Sequence, residues 1–147
     1  MKAILKKAVL GSMLVGALGM NQAYADNMAE GLNVVVTSDS HQTQLMAMVL
    51  STQTLKKHGK KVHMTLCGPA GDLALKTTET PKLKPKNVSP SMMLKKIMGM
   101  GAKVEVCPLY LPNAGKTPED LIDGIQVAKP ANVAAGLLNK NFQNLSY

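Results

Sequence analysis

Apolar and polar positions repeat along this chain with two periods, one suited to strands and one to helices. Asn33-Val34-Val35-Val36-Thr37 is a short continuous apolar run rich in β-branched residues, which predicts a strand buried on both faces. Ser38-Asp39-Ser40 follows with side chains suited to capping a helix. From His41 to His58 the period changes, and Leu45, Met48, Val49, Thr52 and Leu55 recur three and four positions apart as one buried helix face. Gly59 ends that helix, with Lys56, Lys57 and His58 placed against the negative end of its dipole. Lys61 to Leu66 returns to alternation through Val62, Met64 and Leu66 and predicts a second strand. Strand, helix and strand in such a short stretch make a βαβ unit of a parallel sheet.

The same alternation continues to the last residues. Cys67-Gly68-Pro69-Ala70-Gly71 reads as a loop at the carboxyl end of the second strand, and Asp72 to Lys76 as a short helix. Thr77 to Val88 carries Pro81, Pro85 and three lysines with little apolar content, which predicts an exposed, mobile loop. Ser89-Pro90 opens a helix that stops in Gly99-Met100-Gly101, and Lys103 to Val106 forms a third strand that delivers Cys107 to its carboxyl end. Pro108 to Lys116 is a second long loop. Thr117-Pro118-Glu119-Asp120 predicts a helix start, closed by Gly124, because it offers a cap, a proline and two acids in the first turn. Ile125 to Ala128 is a fourth strand, Pro130 to Lys140 a last helix, and Phe142 to Tyr147 a closing strand. No internal repeat is visible. The expected architecture is α/β: a single three-layer domain around a small, mostly parallel sheet of about five strands.

The front of the chain follows a different rule. Lys2, Lys6 and Lys7 precede an uncharged apolar run of 13 residues, Ala8 to Met20, and Ala23-Tyr24-Ala25 supplies a small-x-small cleavage pattern. Residues 1–25 therefore read as a secretory signal peptide. The run is shorter than the roughly 20 residues a spanning helix needs, so no stable membrane anchor is expected after cleavage. The mature domain is then 26–147, long enough for one core and short for two. Its expected location is the periplasm.

Charge and cysteine usage narrow the chemistry. All 17 positive residues are lysines, and 14 of them face nine acids in the mature part, a net charge of +5. Arginine is absent and aromatic residues are scarce, which argues against nucleic acid as a partner and for a solvated lysine surface. Two cysteines are too few to staple a fold, although an oxidising compartment permits a disulfide between them. In open parallel sheets, reactive groups gather beyond the carboxyl ends of the strands. The Asp39-Ser40-His41 turn, Cys67 and Cys107 all fall at such ends, and a free cysteine elsewhere is commonly no more than a small buried apolar residue. His58 at a helix end and His63 on a strand face are less specific. The 11 methionines could suggest a soft-metal site, but Met46, Met48, Met92, Met93, Met98 and Met100 lie where core filling is the ordinary role. No dinucleotide-binding glycine pattern, P-loop, nucleophile elbow, C-x-x-C motif or zinc knuckle is present, and no cofactor is implied.

Gly101-Ala102-Lys103-Val104-Glu105-Val106-Cys107 and the later Leu121-Ile122-Asp123-Gly124-Ile125-Gln126-Val127-Ala128 together resemble the DsrE/DsrF-like family. The Val34 to Ser38 strand and the Leu66-Cys67-Gly68 turn fit the same pattern, so the resemblance covers nearly all of 33–147. It implies a small flavodoxin- or Rossmann-like parallel fold, assembly as a trimer or hexamer, and a cysteine after the third strand that accepts sulfane sulfur as a persulfide. By position that cysteine is Cys107. Cys67 would resolve the persulfide or pair with Cys107 in a disulfide if their strands are neighbours; if the first strand lies between them, the gap doubles. Thiolate character for Cys107 would come from Lys116 and the start of the Thr117 helix. The partners implied are a sulfur donor or acceptor protein, or a small sulfur species. Pro108-Leu109-Tyr110-Leu111-Pro112 lacks the basic loop of the thiolation branch, which argues against transfer-RNA modification. The alternative reading is a non-catalytic module that binds a metal ion or small ligand through His41, Cys67 and Cys107.

Overall fold

The computed structural model describes residues 28–147. The expected signal peptide, 1–25, lies outside the described residues. Five strands and four helices alternate: β1 Gly31–Val36, α1 His41–His58, β2 Lys61–Leu66, α2 Pro90–Gly99, β3 Lys103–Val106, α3 Tyr110–Asn113, β4 Gln126–Val127, α4 Pro130–Leu137 and β5 Phe142–Ser146. Short 3-10 turns at Gly68–Ala74 and Pro118–Asp120 complete the path. All strand pairs are parallel, in the order β4-β3-β2-β1-β5. The expected single α/β domain with a five-stranded parallel sheet is the one observed.

Crossover handedness explains how the helices are shared between the two faces. From β1 to β2 to β3 the chain steps across the sheet in one direction, and α1 and α2 lie on one face. From β4 to β5 it steps back, and the same right-handed crossover puts α4 on the opposite face. The first face carries the core. Val34, Val36, Val62, Met64, Leu66, Val104 and Val106 pack there with Met48, Leu94 and Ile97 of the helices. Each of the large side chains sealed here contributes about 1.5–3 kcal/mol.

The other face is more open. Asn33, His63, Thr65, Lys103 and Glu105 occupy it, and α4 covers it with no fully buried residue of its own. β1 is thus apolar and sealed on one face only; on the other, Asn33 is buried but polar and Val35 is half-buried. Asn33 Nδ2 donates to Gly136 O (2.7 Å) and Asn144 Oδ1 (3.0 Å), tying β1 to α4 and β5.

The buried stripe of α1 consists of Gln44, Ala47, Met48, Ser51 and Thr52, so it is centred about one residue before the apolar pattern. Ser51 and Thr52 donate to Ala47 O and Met48 O, which lets small polar residues pack where α1 meets the core. Ser40 caps the helix and Gly59 ends it in the left-handed conformation (φ 62°), as the sequence predicts. Of the helical methionines, Met48 and Met93 are buried whereas Met46 and Met92 are exposed.

Three local expectations are corrected. The Thr117 start yields only one 3-10 turn, with Thr117 N–H bound to the Asp120 carboxylate (2.9 Å). Leu121 then extends to bridge Leu75, and Ile122 N–H donates to Ala74 O; both leucines are buried, and that tertiary pairing overrides the local helix signal. The loop after Cys107 is partly helical, because α3 begins at Tyr110. The 77–88 segment is exposed over most of its length, yet it carries a Leu83–Val88 bridge and is tied to α2 by hydrogen bonds between Thr80 and Ser91.

Candidate functional site

β2 and β3 are direct neighbours, in register from His63↔Lys103 to Leu66↔Val106. One further step sets Cys67 opposite Cys107. Cys67 N–H donates to Val36 O (2.9 Å) and Cys107 N–H to Leu66 O (2.8 Å), so the ladder continues through both residues. Leu66 and Val106 are buried beneath the helices, and strand alternation turns the two cysteines the same way, off that face. β2 therefore lies between β1 and β3, and the two cysteines stand side by side. The roughly 4.8 Å between neighbouring strands falls within the Cα separation a disulfide can span.

Both cysteines are free and half-buried. Burial pushes the Cys67 thiol up to about 12, and a hydrogen bond with Cys107 adds to the shift. That sign means the protonated form of Cys67 is favoured.

A groove of about 440 Å³ opens beside the pair. Gly68 and Pro69 line it from the turn after β2; Leu109, Tyr110, Asn113 and Ala114 line it from the segment after β3, together with Cys107 itself. Cys67 is not part of the lining. Gly68 takes a positive φ (52°), which lets the chain turn away directly after Cys67. The Tyr110 ring packs flat against Gly71, where a Cβ atom would collide with it. Its hydroxyl donates to the Asp72 carboxylate, and burial followed by that contact raises the phenol well above its usual range. Tyr110 thus locks the turn after Cys67 to the helix after Cys107. Among the described residues, no charged side chain lines the groove.

The remaining candidates lie elsewhere. His41 is exposed at the start of α1, and His58 is exposed at its end. His63 stacks on Phe142 (centroids 4.9 Å apart, 23° between planes), on the sheet face away from the core. Burial and then the Lys103 charge lower its pKa. Among the described residues, no three His, Cys, Asp or Glu side chains gather as a metal site, so His41, Cys67 and Cys107 are not brought together as one. Lys116 is exposed and outside the groove lining, and the helix expected at Thr117 is absent. Tyr110 and Asp72 were not foreseen as site residues. The available signal was an aromatic residue three positions past Cys107 in a chain with only three tyrosines and one phenylalanine.

Known structures share this fold. The chain superimposes on the ychN protein from E. coli with a TM-score of 0.66 and 16% identity, covering 82% of this chain and 100% of that one. It also superimposes on MTH1491 from Methanobacterium thermoautotrophicum, a protein of unknown function, with a TM-score of 0.61 and 11% identity, covering 80% and 98%. The fold is DsrE/DsrF-like. At these identities the likeness carries the architecture and no residue's role. No protein-family model matches the sequence, and no curated protein matches it. Within the DsrE/DsrF-like fold, the paired cysteines and their groove occupy the carboxyl ends of two central strands of the sheet.

Proposed function

We propose that this protein carries sulfane sulfur on Cys107, as an exported, periplasmic member of the DsrE/DsrF-like group. The observation that supports this most is the position of Cys107: it is half-buried, lines an open groove, and sits beside a second free thiol. In loading, the Cys107 sulfur attacks the outer sulfur of a polysulfide or persulfide. The donor's S–S bond breaks, Cys107 gains the outer sulfur, and the donor leaves as a thiol that takes up the displaced proton. The uncharged lining suits a neutral or protein-borne donor better than a highly charged anion. Partners are then a sulfur-bearing protein or a small sulfur species, with no role for nucleic acid. Assembly with further copies belongs to the same reading. Exposed Leu109 and Leu138 give it apolar surface to cover, and sedimentation should show a species larger than a monomer.

Mass spectrometry after polysulfide treatment tests the carrier. Reduced wild type should gain increments of about 32 Da that map to Cys107, and Cys107→Ser should gain none there. Equal gain in Cys107→Ser, or no gain both in wild type quenched within seconds and in Cys67→Ser, removes the proposal.

A further inference from the structure

The open groove reaches only Cys107, while the neighbouring thiol is held back from it. One step past the Leu66↔Val106 pair the two residues face each other across the ladder, and strand alternation sends both side chains to the same side of it. A sulfur atom added to Cys107 would therefore rest within reach of a second thiol on the same chain. A persulfide so placed is not a resting form, because its inner sulfur can be attacked by any thiol beside it.

Resting on the carrier reading above, we infer that Cys67 is a catalytic resolving thiol, which turns the persulfide on Cys107 into an intramolecular disulfide and releases the bound sulfur as sulfide. The Cys67 sulfur attacks the Cys107 Sγ. A Cys67–Cys107 bond forms, and the bond from Cys107 Sγ to the outer sulfur breaks with its electron pair on the outer sulfur. That atom leaves as sulfide and takes the proton Cys67 had carried. The sulfane sulfur is reduced by two electrons, and the two cysteine sulfurs are oxidised to the disulfide. An external dithiol of ordinary reducing power returns the pair to its starting state. The substrate class is thus sulfane sulfur bound for reduction to sulfide, rather than sulfur handed on intact.

The step requires the strand ends to close only slightly. Both backbone N–H groups are anchored in the ladder, and the ordinary spacing of neighbouring strands, roughly 4.8 Å, lies within the Cα range of a disulfide. Gly68 directly follows Cys67 and takes a positive φ, a point at which the turn can adjust without dragging β2.

The test is a single turnover on the mature protein. Reduced wild type and Cys67→Ser are loaded with polysulfide, freed of excess reagent, and followed by mass and by sulfide release. Wild type should release about one sulfide per loaded chain and end about 2 Da below the reduced mass, with both cysteines closed to alkylation. Cys67→Ser should load to the same extent but hold its increment at least about tenfold longer. If the variant loads and releases sulfide as fast as wild type, or if wild type keeps its increment with Cys67 still alkylatable, resolution by Cys67 is wrong and the carrier reading stands. If neither protein loads, both readings fall. Cys67→Ala, checked by circular dichroism, guards against misfolding of the serine variant, and the wild-type mass balance decides the matter without any variant.

Discussion

Cys67 directly follows a buried strand and lies beside Cys107, outside the lining of the groove. Burial is the larger cause of its raised pKa and the Cys107 contact the smaller. Because alkylating reagents consume thiolate, Cys67 in wild type should react slowly at pH 8, with a rate that climbs about tenfold per pH unit toward pH 12. A plateau near pH 9 in peptide-mapped iodoacetamide kinetics would show that the thiol lies in an ordinary setting. Cys107→Ser leaves the burial in place, so the shift should shrink without vanishing. The linkage has a definite sign. The folded pKa lies above that of the unfolded chain, so this group's stabilising contribution is complete below the ordinary thiol range and is lost as pH rises toward about 12. A cysteine's place at a strand end is legible from the sequence; whether its neighbour is water, lysine or another thiol depends on which strand lies beside it.

At the scale of elements, the groove depends on two short segments pinned together by one ring. Gly71 leaves the space that Tyr110 fills, and Asp72 accepts its hydroxyl. Gly71→Ala should cost about 1–3 kcal/mol in chemical denaturation, since the ring has to move and the packing with it. It should also slow sulfur loading of Cys107, because Tyr110 lines the groove. Tyr110→Phe is the contrasting case: the ring stays, and Asp72, being exposed, can be solvated. A loss of about 0.5–1.5 kcal/mol with loading unchanged is expected. Equal effects from the two substitutions would mean that the hydrogen bond, not the packing, shapes the groove. These segments also show how local signals are overruled. Thr117 to Asp120 has the sequence of a helix start, yet Leu121 leaves after one turn to pair with Leu75, a contact no local pattern announces.

Across the whole molecule, the sheet is heavily covered on one face and lightly on the other. Asn33 is the main polar fastener of the lighter face, joining β1 to α4 and to the edge strand β5 through two hydrogen bonds. Asn33→Ala should therefore destabilise the fold by about 1–3 kcal/mol and raise amide exchange in α4 and β5 before the β1–β2–β3 core. Uniformly faster exchange throughout the sheet would show instead that the five strands open as one unit.

Hydrophobic periodicity, with capping residues and glycines, determined the alternating α/β plan, the capped and glycine-ended α1, and the location of both cysteines at strand ends, because these rest on contacts within a few residues. The pairing of β2 with β3, the burial of Cys67 and the clasp of Tyr110 on Gly71 and Asp72 were decided only in three dimensions. Strand order joins segments about 40 residues apart in the chain, and the free energy that selects it comes from covering whole faces of the sheet, a quantity no local pattern carries.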